Sequence, residues 1–281
     1  MTLNVPMKLQ KYLLYPLLYM ICFVYSPDLF GQRTHEFSAG IGTTYYYGDL
    51  TDKFNNSLIR PAASITYAKY LMPVLKLRTG FSYGEVGAAD AQAIDVGRQV
   101  RNLHFRSKVF EAHAALVVEL FRDKNFGNSW RDEVFFTPYF FLGVGLFHFN
   151  PQARYEGVWR DLQPLGTEGQ YIGGAKVYST IQFSAPFGGG LSLRLTDYTG
   201  VSLEVGYRMT GTDYIDDVST IYPDFDALRA SGGELAVALS ERSPDGIFNP
   251  GDRRGNPGSK DSYFFVMFTV NYYLSRYASR N

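Results

Sequence analysis

The sequence predicts an all-β protein, an eight-stranded antiparallel transmembrane β-barrel with four long extracellular loops. Three observations carry this expectation. Eight extended segments alternate apolar and polar residues with period two, each is long enough to cross a membrane as a tilted strand, and the connections between them alternate short and long. A membrane-crossing strand needs about 9 to 11 residues, whereas strands of soluble proteins average about 5 to 6. A soluble β-sandwich or lipocalin-like barrel is the competing reading of the same alternation.

The segments run in order as 36–48, 59–70, 75–85, 103–121, 134–149, 180–195, 200–212 and 262–274. In the first, Phe37, Ala39, Ile41, Thr43, Tyr45 and Tyr47 share a face suited to lipid, opposite Glu36, Ser38, Gly40, Gly42 and Thr44. In the fourth, Phe110, Ala112, Ala114, Leu116, Val118 and Leu120 oppose a row that carries Glu111, His113 and Glu119. The fifth is apolar on both faces. Its Phe140, Leu142, Val144 and Leu146 suit lipid tails, while Gly143 and Gly145 suit a narrow interior, with Tyr139, Phe147 and Phe149 near the ends. In the seventh, Val201, Leu203, Val205, Tyr207 and Met209 oppose Ser202, Glu204, Gly206, Arg208 and Thr210, so inward acid and base can pair across the lumen. The last segment presents Phe264, Val266, Phe268, Val270, Tyr272 and Leu274 as one apolar row.

Short connections at 71–74, 122–133 and 196–199 interleave with long ones at 49–58, 86–102, 150–179 and 213–261. With both termini periplasmic, every long loop lies outside. An even strand count closes the sheet and leaves no edge in lipid.

The chain has 281 residues, 46% of them hydrophobic and 16% aromatic, enough for a sizeable core. Lys plus Arg and Asp plus Glu each total 27, and no basic stripe with interleaved aromatics stands out, so nucleic acid is not an expected partner. Residues 1–31 read as a signal peptide and 32–281 as the barrel domain. Lys8 and Lys11 precede an apolar run from Tyr12 to Tyr25, and Ser26, Pro27, Asp28 and Gly31 follow it. The run is short of the roughly 20 residues that a spanning helix needs. The single cysteine, Cys22, lies inside the run behind Ile21, so the exported chain carries no thiol and needs no disulfide chemistry.

Signals of catalysis and metal binding are weak. The sequence has no HExxH, paired CxxC, GxSxG or Walker loop, and no catalytic, cofactor or metal site is expected. His35, His104, His113 and His148 are scattered, and His113 reads as interior packing beside Glu111. An enzyme would need His104, His148, Asp213 and Asp216 to meet at the outer rim, which no spacing demands. The acidic group Asp213, Asp216, Asp217, Asp224 and Asp226 offers carboxylates to Ca²⁺ but lacks the spacing of an EF-hand loop, and a solvated acidic loop is the plainer expectation.

The loops are more distinctive than the strands. "YYYGDL" (45–50), "RNLHFRSKVFE" (101–111), "FNPQARYEGVWRDLQPLGTEGQ" (149–170), "TDYIDDVST" (212–220) and "GDRRGNP" with "DSYFF" (251–257 and 261–265) together resemble the PorG-like outer-membrane β-barrel family of the type IX secretion system. The resemblance implies a barrel in the outer-membrane lipid that associates with a periplasmic ring, built from a lipoprotein and its partner, and that is not the wide translocation pore. A general small outer-membrane barrel, acting as an adhesin or envelope-stability protein, is the alternative. Residues 221–250 match no block of the family.

Two candidate partner-contact sites follow. In the loop 150–179, Trp159 is a large aromatic anchor beside the polar Asp161 and Gln163, a mixture suited to binding as well as to capping the barrel. That loop is external, so contact with a periplasmic ring is expected at the short turns, at Arg122, Asp123 and Lys124 in particular, or at the tail.

Overall fold

The structure, a computed structural model, describes residues 35–51, 55–72, 74–120, 135–173, 177–196 and 198–274. The expected signal peptide, nearly all of the fourth-to-fifth strand connection with Arg122, Asp123 and Lys124, and the tail beyond Leu274 lie outside the described residues. Nine strands are present among them: β1 (His35–Tyr47), β2 (Arg60–Met72), β3 (Leu75–Ala89), β4 (His104–Glu119), β5 (Phe135–Tyr155), β6 (Val158–Asp161), β7 (Ile181–Arg194), β8 (Thr199–Thr210) and β9 (Ser262–Leu274).

Eight of them form one closed antiparallel sheet in the order β1-β2-β3-β4-β5-β7-β8-β9, each paired with the next. The seam closes where β1 pairs with β9, from His35 opposite Leu274 to Tyr47 opposite Ser262. Closure hydrogen-bonds the backbone of every strand on both sides, which hydrocarbon demands because it offers no alternative partner. The eight expected strands are therefore present, and the four long connections gather at one end.

The ninth strand departs from expectation. β5 runs six residues past the anticipated end at 149 and pairs with β6 from Gln152 opposite Asp161 to Tyr155 opposite Val158. Glu156 and Gly157 link them with φ of 48° and 81°. Two left-handed residues are what a tight hairpin turn requires, because its twist then matches that of the strands. Part of the expected long loop is thus a rigid hairpin standing above the barrel.

Side-chain direction follows the alternation of the sequence. Ile41, Val144 and Phe183 point outward and are 72%, 68% and 76% exposed. On the outer face of β4 and just beyond it, the apolar row runs from Phe110 to Leu120. Ten residues rise about 33 Å along a strand, and a tilt of roughly 40° reduces this to about 25 Å, the height of the apolar band of an outer-membrane barrel. With its closed wall, external apolar band and polar interior, the chain is an outer-membrane β-barrel. Tyr45 is the exception on β1. Its ring is buried against Phe264 and its hydroxyl accepts the Asn55 N–H, because the loop after β1 covers the wall there.

The lower interior is charged and paired. Arg78 on β3 reaches Glu204 on β8 at 2.5 Å and 3.2 Å, and Tyr139 donates to the same carboxylate. Arg208 on β8 reaches Glu111 on β4 at 3.2 Å, where Ser184 and Tyr263 also donate and His113 lies alongside at 3.4 Å. Lys76 bridges Glu36 and Glu119 at 2.6 Å and 3.1 Å. The expected pairing of Glu204 and Arg208 across the lumen is present, each with a partner on the opposite wall. Gly145 makes room for it, since a Cβ there would lie 2.4 Å from the Ser184 hydroxyl. The space left among these groups is about 30 Å³, on the order of one water. Above them Tyr46, Phe105, Val109, Phe147, Phe149, Tyr263 and Phe265 form a buried, mainly aromatic cluster.

Arginine placed in the lipid band is expected to cost about 2–4 kcal/mol near its middle. Val144→Arg and Phe268→Arg should therefore reduce the heat-modifiable, assembled form on gels. Glu204→Leu should cost about 3–5 kcal/mol by leaving Arg78 buried without its carboxylate, and Ser202→Ala only about 1 kcal/mol. Equal urea midpoints for the four variants would contradict this account of the wall and the interior.

Candidate functional site: a closed cap over the barrel mouth

The long loops fold inward over the aromatic cluster. After β3, a 3-10 turn (Asp90–Gln92) leads into a short helix (Val96–Arg101) whose first turn is capped by Asp95, which accepts the Arg98 N–H. Left-handed Asn102 ends the helix at φ 57°. This geometry returns Arg101 to Asp90, which its guanidinium holds at 2.7 Å and 2.8 Å while also donating to the carbonyls of Asp49 and Arg254. Asp90 is fully buried, and the two parallel contacts satisfy its charge.

The loop after β8 crosses the mouth. The Tyr46 phenol, rising from β1, lies 2.6 Å from Asp216 and 2.7 Å from Asp261. One hydroxyl has one proton to give, so the second contact needs a protonated carboxyl donating to the phenol oxygen. Burial and the charge of Asp261 push Asp216 well above the usual carboxylate range, and burial does the same to Asp261. Asp217 accepts from Tyr178 at 2.6 Å and from Thr167, and burial raises it to about 6 against the pull of Arg254. Burial pushes Asp213 up to about 7, although Ser219 donates to it.

Arg254 ties the loops together. It is buried, pairs with Glu168 at 2.9 Å, and donates to the carbonyls of Asp217 and Ser240. Glu168 in turn accepts from the Ser219 and Thr220 amides and the Thr220 hydroxyl. The helical segment Phe225–Ser240, capped by Asp224 and kinked at Gly233 (φ 75°), packs Leu239 against Ala153 and Leu162 at the base of the hairpin.

The acidic group of the last long loop is dispersed among these tasks. Asp224 caps a helix, Asp226 pairs with Arg229, and Asp213, Asp216 and Asp217 each face a different hydroxyl. Among the described residues no three or more His, Cys, Asp or Glu side chains gather in a way that could hold a metal ion. The stretch Asp213–Ser219, expected to be solvated, is instead mostly buried over the aromatic cluster, whereas Asp224 and Asp226 are exposed as expected. His104, His148, Asp213 and Asp216 do not meet. His104 accepts the Arg154 N–H beside Trp159, and His148 faces outward.

Trp159 and Asp161 lie on the outer face of the β5–β6 hairpin. The half-buried indole carries the Arg106 guanidinium 4.0 Å above its ring, and Asp161 accepts from Asn150 at 2.9 Å and Gln152 at 2.6 Å. Gln163 begins the next 3-10 turn (Gln163–Leu165) and reaches the Tyr178 carbonyl at 3.5 Å, so it belongs to the cap. The pairs Asp90–Arg101 and Glu168–Arg254 were not anticipated. For the first, the spacing of an acid before a short helix and a base at its end was available; for the second, 86 residues apart, no local signal existed.

Residues 14–234 match the sequence profile of a family described as Domain of unknown function (DUF6089). No curated protein matches the chain. Among solved structures, the attachment invasion locus protein Ail of Yersinia pestis aligns at TM-score 0.41 and 10% identity, covering 86% of this chain and 99% of that one. Neisserial surface protein A aligns at 0.40 and 9%, covering 86% and 97%. OprG of Pseudomonas aeruginosa aligns at 0.38 and 11%, covering 88% and 100%.

The raised carboxyls make the closed cap bind more protons than an opened one, whose carboxyls return towards the unperturbed value of about 4. Its stability is fully present below that value and is lost as pH rises through about 6 for Asp217 and about 7 for Asp213. Amide-exchange protection at Tyr214–Ser219, corrected for intrinsic rate, should fall over this window. Asp217→Asn should flatten part of the fall, and a flat wild-type profile would contradict the assignment.

Proposed function

The chain belongs to the family described as Domain of unknown function (DUF6089), and we propose that it serves the type IX protein secretion machinery as an outer-membrane barrel. In this reading it associates with a periplasmic ring made of a lipoprotein and its partner, and it does not form the translocation pore.

The observation that supports this most is where the blocks resembling PorG-like barrels come together. Tyr46 and Asp49 belong to the first block, Arg101 to the second, Glu168 to the third, Asp213, Asp216, Asp217 and Ser219 to the fourth, and Arg254 and Asp261 to the last. All of them meet in the cap, through Tyr46 with Asp216 and Asp261, Arg101 with Asp49, and Arg254 with Glu168. The blocks also include wall residues of β1, β4, β5 and β9, but each sends at least one residue into this single cap, which supports reading them as one unit. The paired interior favours a role in assembly over conduction, since a lumen filled by ion pairs and aromatic rings gives no path to an unfolded chain.

By the chain's orientation, ring contact falls on the periplasmic turns, with Arg122, Asp123 and Lys124 as the charged candidates, while Trp159, Asp161 and Gln163 serve the outer side. The test is a charge reversal across Arg122, Asp123 and Lys124, and separately Trp159→Ala, each made in the native host. The turn variant should accumulate normally yet lose ring co-purification and cargo secretion, and Trp159→Ala should lower secretion or barrel level. Normal ring association and secretion in the turn variant would remove the ring contact from this turn. If deletion of the whole barrel also spared secretion, the surface-barrel alternative would stand in its place.

A further inference from the structure

Above the apolar band, the outer face of β4, β5 and β6 changes character abruptly. Phe110 ends the apolar row, and Lys108 and Arg106 follow on the same face, about 5 and 10 Å higher for a tilted strand. Gln152 lies opposite Arg106 in the register, and Arg154 is the next outward residue of β5, opposite Trp159. Three cations thus stand on one patch of wall at the level where lipid headgroups begin. None of them has a carboxylate partner among the described residues. Arg106 donates to Gln152 through Nε, and Arg154 donates to the Gly157 carbonyl. Asp161 shares the face but accepts from Asn150 and Gln152. Glu85 on β3 lies opposite Lys108 in the register, but it pairs with Arg60 on β2 at 3.7 Å.

Arg106 is also prepared geometrically. Its guanidinium lies over the Trp159 indole at 4.0 Å, and its Nε contact fixes the plane, so the terminal nitrogens present a fork of the kind that grips phosphate oxygens. An indole at the level of the membrane interface is the usual anchor for a lipid headgroup. We propose that Arg106, Lys108 and Arg154, with Trp159, form a seat for the phosphorylated headgroup of an outer-leaflet lipid. The ligand is a membrane lipid and not a free anion because the patch continues directly upward from the lipid-facing row of Phe110 and Leu146, which would hold the acyl chains. This inference does not depend on a role in secretion.

The test uses the full chain in neutral detergent, titrated with diphosphorylated lipid A, with the same glycolipid stripped of phosphate, and with inorganic phosphate, and bound lipid is read by native mass spectrometry. At about 1 kcal/mol per cation near a membrane surface, Lys108→Gln should weaken lipid A binding about fivefold, and Arg106→Gln, Lys108→Gln and Arg154→Gln together about a hundredfold. Heat-modifiable mobility verifies that each variant is assembled. Should the triple variant fail to assemble, Lys108→Gln alone decides, since its side chain forms no hydrogen bond or ion pair among the described residues. Unchanged affinity in Lys108→Gln, equal binding of the stripped glycolipid, or displacement by equimolar inorganic phosphate would each overturn the proposal.

Discussion

An ionised carboxylate inside an eight-stranded barrel has lipid beyond the wall and almost no water within it, so it must find its cation on another strand. That requirement organises the interior. Glu204 looks across to Arg78, Glu111 to Arg208, and Glu36 shares Lys76 with Glu119. All but Lys76–Glu119, which links the adjacent β3 and β4, join strands that are not neighbours in the sheet and so brace the wall from within. Pairing of this kind is weak evidence of net stability, because desolvation offsets much of the attraction, but it strongly penalises any register that would leave a charge alone. A one-residue slip of β8 would turn Glu204 and Arg208 into the lipid.

The upper half obeys the same rule with different materials. Large rings fill the mouth, their upper surface has to be covered, and the covering loops bring buried polar groups that must be satisfied in turn. Two arginines meet most of that demand. Arg101 gathers Asp90, Asp49 and the Arg254 backbone, while Arg254 gathers Glu168, Asp217 and Ser240. The carboxyls left outside this arrangement, Asp213, Asp216 and Asp261, are the ones that burial raises most clearly.

The barrel was legible because its pattern is local. Period-two alternation reports the face of each residue, and the faces of Ile41, Glu111, Val144, Glu204 and Phe268 follow from it directly. The hairpin of β5 and β6 was less so, since Glu156 and Gly157 form a turn signal that lies within polar sequence resembling a loop. The cap was scarcely legible. Tyr46 and Asp261 are 215 residues apart, and Arg254 and Glu168 are 86 apart, so no local period records either contact. The helix at 225–240 left a faint trace in its Asp224 cap and in the spacing of Leu228, Leu235 and Leu239, weakened by Gly232 and Gly233. Of the candidate contact residues, Trp159 and Asp161 share the outer hairpin face, whereas Gln163 belongs to the cap, a division that depends on where β6 ends.

The position of Tyr46 bears on how the molecule is built. It rises from β1, and Asp261 immediately precedes β9, so the phenol bridges the first and last strands at the top of their seam. Contacts that span nearly the whole chain form late, because the loop they close is the longest available. Asp216 reaches the same hydroxyl from the loop that leads into β9. Until the two terminal strands have zipped together, the phenol and its carboxyls are held on unconnected edges, so a settled cap is the signature of a finished barrel, and a partner that touched only the settled cap would distinguish completed copies from those still inserting.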